Sequence, residues 1–556
     1  MQDRKFAVVW PSGYKGIIFL ALILSIFFSY EMVNRHFADP DEGRYVEIPR
    51  EMVTTGDFIT PKLNGLKYFE KPVLFYWMQA AVIKIFGINE TSMRLWTVIF
   101  AILGCLGTFV IGSRYYSNAV GLTSTAILAT NILYYAHSRL IILDLAAATL
   151  LNGALWCFFA AFVRDNRKKT IIMAMYAFSA LACLAKGLVG IVLPGLVAFL
   201  WIAFTKNWSK IKNMLHISGI LLFLAIFLPW HILVAAKNDD FLYFYYIVEH
   251  FLRYTTEIHN RYQPPWFFIP ILLAGLLPWT GFSLAAIKNM FRKARSNNSD
   301  HIFFGCWIFG ILGFFSFSGS KLIPYILPIL PPIALITGIT LVKSLETDGR
   351  DFKIGAWSSI ILFAVASVAY AFAKSEIMDV LTNRDAVLLI NIFVGLLAAA
   401  TIVLILSLYG KMSKIIAVIV YIFIGANMMW LINKAAVLYQ EVKKPTTKPL
   451  AETIKLNRRK DDLVFCYKRY YYDFPVYLNS TVGVVDFVGE FQFGAAADPN
   501  NDKLITEEAF WKLWDAINKR IFLLLSREHY RKVFAERNYS HRILDFNKYF
   551  IVITNK

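Results

Sequence analysis

Charge crowds into one polar stretch of an otherwise apolar chain, and that crowding is the first sign of chemistry. From Phe37 to Tyr76 the sequence reads FADPDEGRYVEIPREMVTTGDFITPKLNGLKYFEKPVLFY, directly after a first apolar run. Asp39, Asp41, Glu42 and Arg44 fall at its start; Glu70 and Lys71 fall just before the chain turns apolar again. Charged groups held at a bilayer boundary generally serve a site, because desolvating them without a partner is expensive.

Further candidates are scattered along the chain. Asp144 stands in HSRLIILDLAAATL and Lys186 in LACLAKGLVG, each inside or beside an apolar run. His250 and Arg253 lie in VEHFLRY, followed by His259 and Arg261; Lys321 and Tyr325 lie in SGSKLIPYILPILP. Cations gathered on one face suit an anionic group such as a phosphate, gripped bidentately by Arg and as a point charge by Lys. Carboxylates beside them suit a cation, a hydroxyl or an amino group. Each residue also has a plainer reading. Arg44 and Arg50 can pair with Glu47 and Glu51 on one helix face, Asp144 with Arg139, and Lys186 can reach outward along its stem. Isolated histidines are commonly core or surface residues. A carboxylate within an apolar run is the strongest of these signals. No HExxH, P-loop or GxGxxG followed by an acid occurs, so zincins, P-loop ATPases and dinucleotide-binding enzymes find no support.

The elements that must position these groups are membrane helices. With 556 residues, 57% of them hydrophobic, the chain supplies more long apolar runs than a soluble core needs. Runs at Gly16–Val33, Arg94–Gly112, Ala119–Tyr135, Leu143–Val163, Thr170–Ala185, Leu188–Phe204 and Leu215–Ala236 are candidate spans. Trp266–Ile287, Ile302–Phe317, Leu322–Val342, Ile354–Ala373, Ala386–Tyr409 and Ile415–Leu431 bring the expectation to about thirteen. Lys and Arg gather in short loops, at Arg164–Lys169, Lys206–Lys212, Lys288–Arg295, Lys343–Lys353 and Lys411–Lys414, which reads as the cytoplasmic side. The net charge of +19 is explained by these loops and calls for no nucleic acid. Every candidate site residue then falls outside. Parity leaves Pro72–Gly87 as an interfacial helix within the first external loop. Four of the five cysteines lie in apolar runs and Cys466 stands alone, so no disulfide or Cys metal site is expected.

After residue 433 the composition changes. LVFCYKRYYY, STVGVVDFVG, RIFLLLS and YFIVIT read as strands, and TEEAFWKLWDAINKR as a helix. The expected organisation is a transmembrane domain over 1–433, with an external loop at 34–93, followed by an α/β domain over 434–556.

The motifs D-E-x-R-Y-x-E-I-x-R-E-M, T-G-D and L-N-G-x-K-Y-F-E-K-P, with HSRLIILD, VEHFLRY and SGSKLIPYILPILP further on, carry a resemblance. The chain resembles the lipid A 4-amino-4-deoxy-L-arabinose transferases. These are GT-C glycosyltransferases related to protein O-mannosyltransferases. The resemblance implies a polytopic GT-C fold in a bacterial inner membrane, an active site facing the periplasm, and a monomer among membrane lipids. It implies transfer of an amino sugar (aminoarabinose, or a similar one such as galactosamine) from undecaprenyl phosphate to a lipid A phosphate. Asp41 is then the carboxylate at the reaction centre and Asp144 a second acid. Arg44, Lys71, Lys186, Arg253, Lys321 and Tyr325 are expected to bind substrate, with Lys71, Arg253 and Tyr325 on the donor phosphate. Glu70 is expected to hold a divalent metal ion, zinc among the candidates, with His250 or His259. Glu42 is expected to be dispensable for chemistry. A peptide-glycosylating enzyme or a flippase for lipid-linked sugars are the alternatives. Polar groups piled on one face disfavour the flippase, which needs a path through both leaflets.

Overall fold

Hydrocarbon offers a backbone no hydrogen-bond partners, so a chain that crosses it must pair its own N–H and C=O groups within each helix. The computed structural model follows that constraint; it describes residues 13–32, 35–256, 261–347, 349–380, 384–443, 446–516, 519–536 and 539–556. Every run expected to span forms helix. Nine helices among the described residues are long and apolar enough to cross a membrane. The run at Trp266–Ile287 is a pair, Phe268–Gly275 and Thr280–Arg295, bent by 116°. Pro278 lies at the break, where it can supply no backbone N–H. Tyr14–Ser29, Asn118–Ala129 and Val189–Thr205 are shorter apolar helices. The run at Ala119–Tyr135 breaks after Ala129 because the Asn131 side chain accepts the Tyr134 N–H at 2.9 Å and starts a new turn. Leu74–Phe86, read as interfacial, has 13 residues, a length of about 20 Å against the ~30 Å of a hydrocarbon core.

Two compact units divide the chain. The first comprises Met1–Glu31, Trp96–Pro229 and Ile247–Leu438; the second comprises Met32–Leu95, Trp230–Tyr246 and Tyr439–Lys556. The segment 34–93, expected to go with the membrane domain, is thus grouped with the C-terminal residues.

In the second unit β1 (Lys62–Leu63) and β2 (Leu66–Lys67) pair as a small antiparallel hairpin. The C-terminal part is a six-stranded sheet of β3 (Leu463–Tyr467), β4 (Gly483–Val485), β5 (Leu504–Ile505), β6 (Ile521–Ser526), β7 (Arg542–Phe546) and β8 (Phe550–Thr554), in the order β5-β4-β3-β6-β8-β7. β3, β4, β5 and β6 run parallel, while β8 lies antiparallel to both β6 and β7. β3, β4, β6 and β8 fall in the four runs recognised as strands in the sequence, and as central strands they are buried almost throughout. The helix Glu507–Asp515 is capped by Thr506 and lays Phe510, Trp511 and Trp514 on the sheet core. β5 and β7, the short edge strands, are half-buried or exposed, and no apolar run announced them. The run of LVFCYKRYYY ends as a strand at Tyr467, because Lys468 has φ 53° and turns the chain away.

That turn delivers Tyr470–Asp473 to the helix Asp41–Thr55. Gly43 lies so close that a Cβ there would stand 2.5 Å from the Tyr472 carbonyl carbon. Asp39 accepts the Tyr472 N–H at 2.8 Å and a guanidinium bond from Arg469 at 2.9 Å. Nearby, Asn64 donates to the Val482 carbonyl and accepts the Val482 N–H, at 2.8 and 2.9 Å. Glu42, expected to be dispensable, is completely buried between Arg35 at 2.8 Å and Arg94 at 2.7 Å, and it accepts the Ala38 N–H. It is a structural hub: Glu42→Gln removes its charge and leaves two buried guanidiniums, a change that typically costs about 3–5 kcal/mol.

Two turns further along the same helix, Arg50 grips Glu47 with bonds of 2.6 Å. Glu51 accepts the Gly65 N–H at 2.8 Å, and burial, with Glu47 beside it, pushes its carboxyl up to about 8. A raised carboxyl pKa means that the folded chain holds a proton the unfolded chain gives up near pH 4. Stability from this group is therefore full at low pH and declines as pH climbs from about 4 towards 8, by up to ~1.4 kcal/mol per unit. Glu51→Gln keeps the shape but cannot ionise. The variant is expected to gain on the wild type in melting temperature as pH rises from 5 to 8.5, measured on detergent-solubilised protein. Parallel melting curves across that range would refute it.

Candidate active site

A hairpin of two helices builds the core of the site in the first unit. Leu143–Phe158 opens with Asp144 in its first turn, and Lys169–Lys186 closes with Lys186 as its last residue before Gly187, φ 88°. The anion sits at a helix start and the cation at a helix end, each placed favourably for its own backbone dipole. The hairpin brings them together: Lys186 Nζ and Asp144 Oδ1 form an ion pair, both side chains nearly buried. Asp144 was weighed against Arg139 as partner, and Lys186 against an outward reach. Arg139 donates to the Phe28 and Tyr30 carbonyls and to Asn433 Oδ1.

The pair lines a partly open pocket whose other walls include Leu151, Leu193, Phe315 and Pro328. Tyr325 forms part of the same wall. It sits on a 3₁₀ segment, Ile323–Ile329, that carries Pro324 in its first turn. Lys186 Nζ lies 4.6 Å from the centroid of the Tyr325 ring, a cation–π distance, and the Tyr325 hydroxyl accepts from Arg253 Nη2 at 3.4 Å. Arg253 Nη1 holds Glu249 Oε2 at 2.6 Å, one helical turn away, with both residues buried. So Lys186, Arg253 and Tyr325, all expected to bind substrate, converge. Glu249, which aims Arg253, was missed, although its i,i+4 spacing in VEHFLR was a readable signal. His137 was missed too. It is buried with Nδ1 on the Leu133 carbonyl at 2.7 Å, and burial keeps its pKa below the ordinary value.

Two other expectations change. Lys321 Nζ donates to the Gln263 carbonyl at 2.8 Å and the Ser318 carbonyl at 2.6 Å, so it ties a turn together rather than being held clear for a ligand. His250 Nε2 accepts the Leu188 N–H at 3.2 Å, which occupies the lone pair a metal would need. Its expected co-ligand Glu70 belongs to the second unit, and His259 lies outside the described residues. No group of three His, Cys, Asp or Glu side chains among the described residues is placed to hold an ion. The metal set does not fit through His250, and no step below runs through a metal.

The remaining expected residues lie in the second unit. Asp41 is the first residue of its helix and accepts Arg44 Nη2 at 2.7 Å, three residues on, with 62% of its side chain exposed. Arg44 Nη1 reaches both oxygens of Glu490 at 2.8 Å and the Tyr68 hydroxyl at 3.1 Å. It pairs with neither Glu47 nor Glu51 in these bonds; Arg50 takes Glu47. Glu70 lies within electrostatic reach of Arg44, Tyr68 and Tyr76, and Lys71 Nζ donates to the Glu70 carbonyl at 2.8 Å. Burial drives the Tyr68 hydroxyl pKa well above its ordinary value, so Tyr68 stays neutral.

The helices and the C-terminal sheet define a polytopic α-helical membrane protein that carries an α/β domain. Across 98% of this chain and 99% of the other, the fold superposes on that of ArnT from Cupriavidus metallidurans, crystallised bound to undecaprenyl phosphate, with a TM-score of 0.82 and 24% identity. Residues 70–233 match the family described as dolichyl-phosphate-mannose-protein mannosyltransferase, and 450–555 match the aminoarabinose transferase C-terminal domain. The chain is 32% identical over 396 residues to undecaprenyl phosphate-alpha-4-amino-4-deoxy-L-arabinose arabinosyl transferase 1 of Proteus mirabilis, covering 69% of this chain and 71% of that one. To the Erwinia tasmaniensis protein of the corresponding name it is 29% identical over 392 residues, 66% of this chain and 70% of that one. The protein belongs to the undecaprenyl phosphate-aminoarabinose arabinosyl transferase family.

The Asp144–Lys186 pair yields a direct test. Removing one member leaves a poorly solvated charge, whereas removing both removes the problem. Lys186→Met and Asp144→Asn should each lower thermal stability, and the double variant should melt above Lys186→Met alone, with a coupling of about 1–3 kcal/mol. Strict additivity of the two changes would show that the pair does not act as one.

Proposed function

We propose that the enzyme transfers 4-amino-4-deoxy-L-arabinose, or a similar amino sugar such as galactosamine, from undecaprenyl phosphate to a lipid A phosphate. It works as a monomer in a bacterial inner membrane, with its chemistry on the periplasmic side. The observation that carries this reading is the convergence of Lys186, Arg253 and the Tyr325 hydroxyl in the first unit. Two cations and a hydroxyl beside an apolar wall suit a phosphate at the head of a lipid chain. The family's named relatives use undecaprenyl phosphate-linked aminoarabinose.

Transfer breaks the bond from the sugar's anomeric carbon to the polyprenyl phosphate oxygen and forms one to an oxygen of the acceptor phosphate. The leaving phosphate takes both electrons of the broken bond. Arg253 and Tyr325, with Lys71 in the role the resemblance implies, stabilise that developing charge. A phosphate acceptor is already an anion at neutral pH, so no strong general base is required. Asp41 is assigned to the reacting centre, where a carboxylate steadies positive charge at the anomeric carbon or grips the sugar's amino group. Adding an amino sugar lowers the net negative charge of the acceptor.

Mass spectrometry of lipid A from cells with and without the gene is expected to show one added amino pentose or hexosamine on a phosphate. Glycosylated peptide with unmodified lipid A would favour a protein mannosyltransferase instead. In the same assay Arg253→Lys is the informative variant. Arg253→Ala would strand buried Glu249, whereas lysine keeps the charge and loses the fork that reaches Tyr325. A fall in donor use of roughly tenfold or more at normal protein level is expected. Chelation tests the expected metal role of Glu70 and His259: loss of product restored by zinc or magnesium supports that role, and unchanged product formation removes it.

A further inference from the structure

The first-loop helix and the C-terminal sheet domain share one guanidinium. Arg44 is buried, with the ring centroids of Tyr45 and Tyr472 each 5.7 Å from its Cζ. On one side Nη2 holds the exposed carboxylate of Asp41 at 2.7 Å. On the other, Nη1 meets both carboxylate oxygens of Glu490 at 2.8 Å, and Tyr68 closes the set at 3.1 Å. Glu490 comes from a 3₁₀ turn, Gly489–Phe491, more than four hundred residues away in sequence. Asp41 has little else to fix it, since most of its side chain faces outward.

We propose that Glu490 is a positioning residue for the transfer reaction: it locks Arg44, and Arg44 in turn sets the direction in which Asp41 presents its carboxylate. The proposal rests on the reading of Asp41 as the carboxylate at the reacting centre. It gives the C-terminal domain a part in building the site. A guanidinium is a planar fork, so fixing one arm fixes the direction of the other. Without Glu490, Arg44 loses its two short carboxylate bonds; the Tyr68 hydroxyl, the two rings and the more distant charge of Glu70 hold it less firmly. The pair can then swing as a unit, and a misplacement of about 1 Å at a reacting group can lower a rate a hundredfold. The backbone contact of Gly43 with Tyr472 and Asp473, and the bonds to Asp39 from Arg469 and the Tyr472 N–H, hold this end of the helix in place, so the helix itself stays put while the side chain is released.

The test is a cycle of three variants, Asp41→Asn, Glu490→Gln and both together, with kcat and donor KM measured per unit of inserted protein and a melting temperature for each. The first variant alone tests the reading of Asp41: near-normal turnover there removes Asp41 from the chemistry. The inference is tested by the other two. Glu490→Gln is expected to lower kcat roughly ten- to hundredfold with donor KM little changed, and to add almost nothing in the Asp41→Asn background. A purely structural role would lower protein level or melting temperature, leaving kcat per folded molecule intact. Wild-type kcat in Glu490→Gln, or a full further loss when it is added to Asp41→Asn, overturns the proposal. Should Glu490→Gln fail to accumulate, Glu490→Asp keeps the charge, withdraws it by one methylene, and carries the same expectations.

Discussion

The polar loop of the second unit is tied together by one carboxylate buried with two guanidiniums. Glu42 joins Arg35, which precedes its helix, to Arg94, which closes the loop some fifty residues on. Arg94 reinforces the knot by donating to the Arg35 and Glu90 carbonyls at 2.7 and 2.9 Å. A charge in that position is tolerable only because it is matched on both sides and also accepts a backbone N–H. The two ends of the polar loop are thereby clamped together, and the helix Asp41–Thr55 leaves the clamp in a set direction. Asp41, one residue before Glu42, pairs with Arg44 instead, so two neighbouring carboxylates sit side by side without competing for the same partners.

The first unit solves a different problem. A carboxylate and an ammonium at helix ends pair in apolar surroundings, and the pair is lined on one side by Leu and Pro and on the other by an aromatic ring. Neither group can leave without stranding the other. The nearby Glu249–Arg253 pair repeats the arrangement and frees the second guanidinium nitrogen for the Tyr325 hydroxyl.

The membrane helices were legible in the sequence because hydrocarbon permits so few backbone solutions. Asp144 was legible for the same reason, being a carboxylate where only apolar residues are cheap. Its partner was not, since Lys186 lies 42 positions away and only the helix hairpin decides between it and Arg139. The KRYYY run was read as strand from its aromatic content, and the positive φ of Lys468 overrode that propensity. Lys321 stood in a persuasive motif yet turned to carbonyls, because a tight turn leaves acceptors that a lysine can satisfy. Glu490 gave no signal at all: VDFVGEFQFG reads as a strand end and a turn, and its meaning appears only when Arg44 is seen beside it.

Gly43 has a bearing on modularity. With no side chain, it lets the helix backbone lie directly on the backbone of Tyr472 and Asp473. A main-chain seam of this kind reads shape and ignores identity, so a C-terminal domain transplanted from a relative would be accepted by the loop as readily as the native one. What such a graft has to bring with it is a carboxylate at the height of Arg44. Two parts of the chain far apart in sequence are in this way obliged to be inherited as a matched set, joined by a contact any relative can make and a charge that only a matched one supplies.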